Sequence, residues 1–210
     1  MTRIKICGIT NLADGRDAAG LGAHFLGFVL CRQSKRYVAY PTVKKIVAGL
    51  PSFVEKVAVF VDEELALVEK IVTNCRIGFV QLHGHESAEY CQRLRDKKIK
   101  VIKALSLNSE DDLLKVESYR QSADYLLIDS PEENGLGGSG HLANWELAVR
   151  AREIFGDIFL AGGLTAENVR SAIEKVHPFA VDVASGVERI PGKKDYQKLL
   201  NFIQQVQRYG

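Results

Sequence analysis

The sequence is poor in the features that mark several broad classes of protein. Its net charge is only +2, from 28 basic and 26 acidic residues that are scattered rather than run together. It therefore has no electrostatic footprint for nucleic acid or for an anionic membrane surface. No apolar run approaches the roughly 18 residues that a membrane-spanning helix needs. The four cysteines, Cys7, Cys31, Cys75 and Cys91, show no CxxC spacing and read as free thiols rather than a disulfide framework. The chain opens directly on a strand-like segment, so no signal peptide is expected. These absences predict a cytoplasmic protein that contacts neither nucleic acid nor membrane and whose partner is a small molecule. Two further absences concern the fold. No Gly-x-Gly-x-x-Gly follows the first strand, which argues against a dinucleotide-binding sheet. No linker-like shift in composition divides the chain, so residues 1–210 are expected to form one domain.

What is present is an apolar share of 46%, ample for a buried core, arranged as one repeated unit. Arg3 to Thr10 begins as a short alternating run that places Ile4 and Ile6 on one face and Arg3, Lys5 and Cys7 on the other, and it leaves the strand at Gly8. Thr10 and Asn11 can cap a helix over Leu12 to Leu21. The same strand, turn and helix order then recurs. Strands are expected at His24 to Leu30, Lys56 to Val61, Gly78 to Leu82, Lys100 to Ala104, Tyr125 to Ile128, Ile158 to Ala161 and Phe179 to Val183. The helices between and after them are expected at Thr42 to Leu50, Glu63 to Val72, Glu86 to Arg95, Ser109 to Tyr119, Trp145 to Ile154, Thr165 to Lys175 and Asp195 to Val206. Eight such units predict a parallel α/β sheet with right-handed crossovers, closed into a (β/α)8 barrel; an open doubly wound sheet is the alternative. The longest connection, Glu132 to His141, is glycine-rich and is expected to act as a lid or binding loop.

In such a barrel the C-terminal strand ends meet on one face, so Cys7, Arg36, His83, Asp129, Gly162, Gly163, Asp182, Ser185 and Gly186 should share a site. The glycine exits after the last two strands suit a phosphate monoester, because bare backbone approaches closely and helix starts offer unpaired N–H groups; as turns alone they would need no ligand. Cys7 could be a small buried hydrophobe, but its place at a strand end suits a reactive thiol, which needs nearby positive charge to ionise. Asp129 closes an apolar strand and could simply cap a turn; as an acid it must stay protonated through partial burial. Together they suggest one base and one acid facing one substrate. Arg36 is either a solvated loop charge or a fork for a carboxylate. His83 and His85 are too few to hold a metal ion, and none is expected. Lys103 is the competing catalyst, a Schiff-base lysine of an aldolase, unless it fills a barrel layer through an ion pair. A sugar-phosphate binding protein without turnover is the non-enzymatic alternative.

The blocks Lys5-Ile6-Cys7-Gly8-Ile9-Thr10, Ser34-Lys35-Arg36-Tyr37, Val80-Gln81-Leu82-His83-Gly84, Leu127-Ile128-Asp129, Gly137-Gly138-Ser139-Gly140, Ala161-Gly162-Gly163-Leu164 and Asp182-Val183-Ala184-Ser185-Gly186-Val187-Glu188 resemble the phosphoribosylanthranilate isomerase family from end to end. The resemblance implies a cofactor-free, metal-free Amadori rearrangement of N-(5-phosphoribosyl)anthranilate in tryptophan biosynthesis. It implies that Asp129 protonates the furanose ring oxygen and that Cys7, as thiolate, removes the C2′ proton. Arg36 would pair with the anthranilate carboxylate, and Gly162, Gly163, Ser185 and Gly186 would hold the phosphate. His83 and Asp182 would face the substrate, with their roles open, as is the choice between monomer and homodimer. Indole-glycerol-phosphate synthase, a related barrel, carries catalytic lysine and glutamate residues near its first strands. Here the first strand ends on Cys7 instead.

Overall fold

In the computed structural model, which describes residues 1–130 and 143–210, eight parallel strands close into a barrel. The strands are β1 (Arg3–Cys7), β2 (Phe25–Val29), β3 (Glu55–Phe60), β4 (Phe79–Leu82), β5 (Lys100–Ser106), β6 (Tyr125–Asp129), β7 (Ile158–Leu160) and β8 (Ala180–Val183). Around them run α1 (Leu12–Leu21), α2 (Tyr40–Ala48), α3 (Leu65–Cys75), α4 (Ala88–Asp96), α5 (Leu113–Ser118), α6 (Trp145–Phe155), α7 (Val169–Val176) and α8 (Tyr196–Tyr209). Closure decides between the two architectures that alternation left open. The lid expected at Glu132 to His141 lies outside the described residues.

Alternation gives each strand two destinations. Ile4 and Ile6 point outward into the apolar layer shared with the helices, together with Leu26, Phe28, Val80 and Leu126. Phe25, Val57, Ile102, Leu127, Phe159 and Ala180 point inward and pack on one another. The N-terminal end of the barrel is filled by aromatic rings. Phe25 and Phe159 meet edge to face at 5.3 Å between centroids, and Tyr125 stacks on Phe179 at 4.9 Å. Burying each of the two inner rings contributes about 1.5–3 kcal/mol. The opposite end, where the strands terminate, sets Gln81, His83, Asp129 and Asp182 beside the apolar Val29 and Val59.

Local signals placed the helices closely and failed where side chains redirected the backbone. Asn11 caps α1 as expected, its Oδ1 accepting from the Asp14 N–H at 2.9 Å. Helix α7 starts at Val169 rather than at Thr165, because Asn168 turns the intervening residues back. Its Oδ1 accepts from the Thr165 N–H and its Nδ2 donates to the Gly163 carbonyl, both at 2.9 Å. The fifth helix opens with a 3-10 turn, Glu110–Asp112, before α5. An antiparallel hairpin, β9 (Glu188–Ile190) and β10 (Lys193–Lys194), stands between β8 and α8. Its strands are too short and too charged to show an alternating pattern.

The barrel closes where β1 pairs with β8, in a register that sets Lys5 beside Asp182. Lys5 is fully buried, and its ammonium donates to Asp182 Oδ1 at 2.9 Å. Burial pulls the Lys5 pKa down, but Asp182 and Cys7 outweigh it and hold the ammonium above its ordinary value. Removing one member of such a pair strands the other charge in the core. Lys5→Met is expected to cost about 3–5 kcal/mol of unfolding free energy, with much of the loss recovered in the Lys5→Met/Asp182→Leu double variant. Urea unfolding of the three proteins measures this, and a neutral single variant would refute it.

Candidate active site

The site is assembled from the C-terminal ends of β1, β4, β6 and β8 and from the loops after β2 and β7. One cavity there is lined by Cys7, Arg36, His83, Asp129, Gly162, Gly163, Asp182 and Ser185, so eight of the nine residues expected to share a site do so. Gly186 does not line it. It sits so close to the Leu164 carbonyl that a Cβ would collide with it.

Cys7 ends β1 facing inward, 8% exposed. Gly27, its neighbour on β2, leaves the space for the sulfur, since a Cβ there would stand 2.7 Å from Sγ and 3.2 Å from Lys5 Nζ. Burial raises the Cys7 pKa, and the nearby cations Lys5 and Lys194 offset this only in part, so the thiol is held above its ordinary value. Positive charge is present beside the sulfur, as a reactive thiol requires, yet desolvation wins.

Asp129 closes β6 with the opposite outcome. Burial pushes its pKa up, but the neighbouring His83 and the Ser130 N–H at 2.7 Å bring it below the usual carboxylate range. As an acid, Asp129 must therefore take up its proton against these neighbours, with burial working in its favour. His83 lies 3.4 Å from Asp129 through Nε2. Its Nδ1 faces Gln81 Nε2 at 2.8 Å.

Arg36 reaches the cavity from the loop after β2. Its aliphatic stem crosses Gly8, where a Cβ would stand 2.6 Å from Arg36 Cδ and where φ is +78°, so a side chain at position 8 is excluded twice over. The guanidinium forms a fork on Glu188, Nε to Oε1 at 2.9 Å and Nη2 to Oε2 at 2.8 Å. This ion pair with a protein carboxylate had no counterpart in the sequence reading. Gly162 and Gly163 leave β7 with φ of +83° and +61°, and at Gly162 a Cβ would lie 2.6 Å from the Ser130 nitrogen. Two successive left-handed residues bring bare backbone to the cavity wall beside Ser185.

Lys103 is not in this site. It lies on the outward parity of β5, between the inward-facing Ile102 and Ala104, and its ammonium donates to the Leu82 and Gly84 carbonyls and to Glu86 at 2.9 Å. The ion pair expected as the alternative to a Schiff base is present, but outside the barrel rather than in one of its layers. Among the described residues, no three His, Cys, Asp or Glu side chains converge to hold a metal ion. No helix among them is long and apolar enough to cross a membrane.

Four residues around the site carried no expectation: Lys5, Gln81, Glu188 and Lys194. Alternation puts Lys5 on the face of Cys7 and Gln81 on the face of His83, which was the available signal. For Lys194 there was none. Its ammonium donates to the carbonyls of Cys7 at 2.5 Å and Ala184 at 3.1 Å and meets Glu188 at 3.2 Å, contacts that only the fold creates.

Comparison with known proteins places this geometry. Residues 4–205 match the family model described as N-(5′-phosphoribosyl)anthranilate (PRA) isomerase. The N-(5′-phosphoribosyl)anthranilate isomerase of Thermotoga neapolitana is 46% identical over 203 residues, covering 97% of each chain. A crystal structure of phosphoribosyl anthranilate isomerase in complex with reduced 1-(o-carboxyphenylamino)-1-deoxyribulose 5-phosphate is 40% identical. It superposes with a TM-score of 0.89 over 99% of this chain and all of the other. A structure of monomers of the dimeric enzyme from Thermotoga maritima is 39% identical, with a TM-score of 0.88 over 99% of this chain and 100% of that one. The chain thus belongs to the N-(5′-phosphoribosyl)anthranilate isomerase family.

Proposed function

We propose that Cys7 and Asp129 act as base and acid in the isomerisation that gives the family its name, within a barrel domain spanning residues 1–210. The chain is an isomerase that converts N-(5′-phosphoribosyl)anthranilate to 1-(2-carboxyphenylamino)-1-deoxyribulose 5-phosphate, an Amadori rearrangement in tryptophan biosynthesis. The observation that carries the assignment is that one thiol and one carboxyl group, from β1 and β6, line a single cavity between an arginine and a glycine-rich backbone.

The chemistry follows from that placement. Asp129 gives its proton to the furanose oxygen as the C1′–O bond breaks, and the anilino nitrogen pushes its lone pair in to form an iminium ion. Cys7 then takes the proton from C2′, and those electrons form the C1′–C2′ double bond and return a pair to nitrogen. The enolamine so formed becomes the ketone when C1′ gains a proton and the 2′-hydroxyl loses one. Because the substrate's own nitrogen is the electron sink, the protein's contribution is placement and proton transfer. Gly162, Gly163, Ser185 and Gly186 hold the phosphate. Arg36 receives the aromatic carboxylate, and His83 and Asp182 border the ribose between the two anchors.

The surroundings favour the proton on Cys7 over Asp129, since burial holds the thiol above its ordinary value and the neighbours of the carboxyl group hold it below the usual range. The working form is the minor tautomer of the same pair, in which the proton sits on the carboxyl group and the sulfur is ionised. Lys5, beside the sulfur, favours the thiolate of the working form.

Cys7→Ala and Asp129→Asn are each expected to lower kcat by about 10²–10⁴-fold while changing affinity for the reduced product analogue only a few-fold. Turnover by fluorescence and binding by calorimetry measure this, and near-normal turnover in either variant removes the assigned role. In the free protein the Cys7 thiol is expected to titrate above its ordinary value, and higher still in Lys5→Met, because a cation that favours the thiolate is lost. Ultraviolet thiolate absorbance, taken as the difference from Cys7→Ala, reads the midpoint. A midpoint below the ordinary value, or a downward move in Lys5→Met, would overturn this electrostatic account.

A further inference from the structure

Running inward from the cavity wall, Arg36, Glu188 and Lys194 form a chain of three charges that the acid–base pair does not use. The Glu188 side chain is 4% exposed and the Lys194 side chain 1%. Glu188 takes the Nε and Nη2 edge of Arg36, leaving Nη1 outside the fork, and also accepts from the Gly192 N–H at 3.2 Å and from Lys194. Lys194 in turn is anchored on the Cys7 and Ala184 carbonyls. The hairpin that carries both residues thereby joins the ends of β1 and β8 to the loop that carries Arg36.

An arginine already paired with a glutamate should be a poor receptor for a second carboxylate, since the pair is neutral and the glutamate repels the newcomer. Lys194 resolves the conflict. Arg36, Glu188 and Lys194 together carry one positive charge, so the Lys194 ammonium offsets Glu188 and leaves the guanidinium charge for a ligand. The Glu188 carboxylate meanwhile fixes the plane and direction of the fork. We propose that Glu188 and Lys194 are positioning residues for recognition of the substrate's aromatic carboxylate, Glu188 by orienting Arg36 and Lys194 by cancelling the Glu188 charge. This rests on the reading that Arg36 receives that carboxylate.

The test compares two ligands of the full-length protein by calorimetry: reduced 1-(2-carboxyphenylamino)-1-deoxyribulose 5-phosphate and its 1-phenylamino counterpart, which lacks only the carboxylate. Arg36→Met, Glu188→Gln and Lys194→Met are each expected to weaken the carboxylated ligand by about 10–100-fold and the other by no more than about threefold, the range of a lost charge-assisted hydrogen bond. Equal weakening of both ligands in Glu188→Gln and Lys194→Met, with Arg36→Met selective, would mean that the network only holds the fold and would overturn the proposal. No selectivity in Arg36→Met would instead overturn the underlying reading of Arg36. If Glu188→Gln does not fold, Glu188→Asp carries the comparison, because it keeps the charge against Lys194 but shortens the reach to Arg36. Unchanged selectivity there also overturns the proposal.

Discussion

The pairing of β8 with β1 is the constraint on which the site depends. Parallel strands cannot be joined by tight turns, so the two ends of this chain meet only after seven crossovers have been laid down, and the register of that last pairing sets Lys5 beside Asp182. Two residues beyond Lys5, on the same face, stands the sulfur. A one-residue slip in the closing pair would turn every inward group of β1 or β8 outward, exchanging Lys5 and Cys7 for Ile4 and Ile6. The buried ion pair therefore acts as a registration mark. It is a poor source of net stability and a strong penalty against misalignment.

The same device recurs around the barrel. Three buried lysines each have a carboxylate of their own: Lys5 with Asp182, Lys103 with Glu86, and Lys194 with Glu188. Lys103 and Lys194 also donate to backbone carbonyls at strand or loop ends. Such carbonyls need donors where helices and strands stop, and a three-proton ammonium can serve two of them along with a carboxylate. Where the pair lies outside the barrel, as with Lys103, it ties loops together. Where it lies inside or against the mouth, as with Lys5 and Lys194, it also sets the electric field around Cys7.

That field explains how one cavity can hold a thiol and a carboxyl group with opposite protonation tendencies. Cys7 and Asp129 are both 8% exposed, so burial alone would drive both toward their neutral forms. The difference comes from what each atom touches. Asp129 receives a direct hydrogen bond from the Ser130 N–H and faces His83 at 3.4 Å, both of which favour the carboxylate, whereas the cations near Cys7 also pair with Asp182, Glu188 and backbone carbonyls. Partners shared with other groups offset the burial of the sulfur only in part.

The repeated unit, the strand positions, the inward face of β1 and the clustering of Cys7, His83, Asp129 and Asp182 at one end were all legible in the sequence. Each follows from local periodicity, or from the rule that parallel barrels gather their strand ends on one face. Closure itself was not legible, because alternation is the same in an open sheet. Nor was the start of α7, where the Asn168 side chain overrides the capping signal at Thr165, or the hairpin Glu188–Lys194, whose strands are too short to carry a pattern. Protonation lay furthest from the sequence. A thiol's proton depends on charges set a few ångströms away by residues nearly the whole chain distant, and Lys194 reaches the Cys7 carbonyl only because β8 has come round to meet β1. Residue type and spacing determined which groups would stand at the mouth of the barrel; the three-dimensional packing of charges decided what state those groups are in.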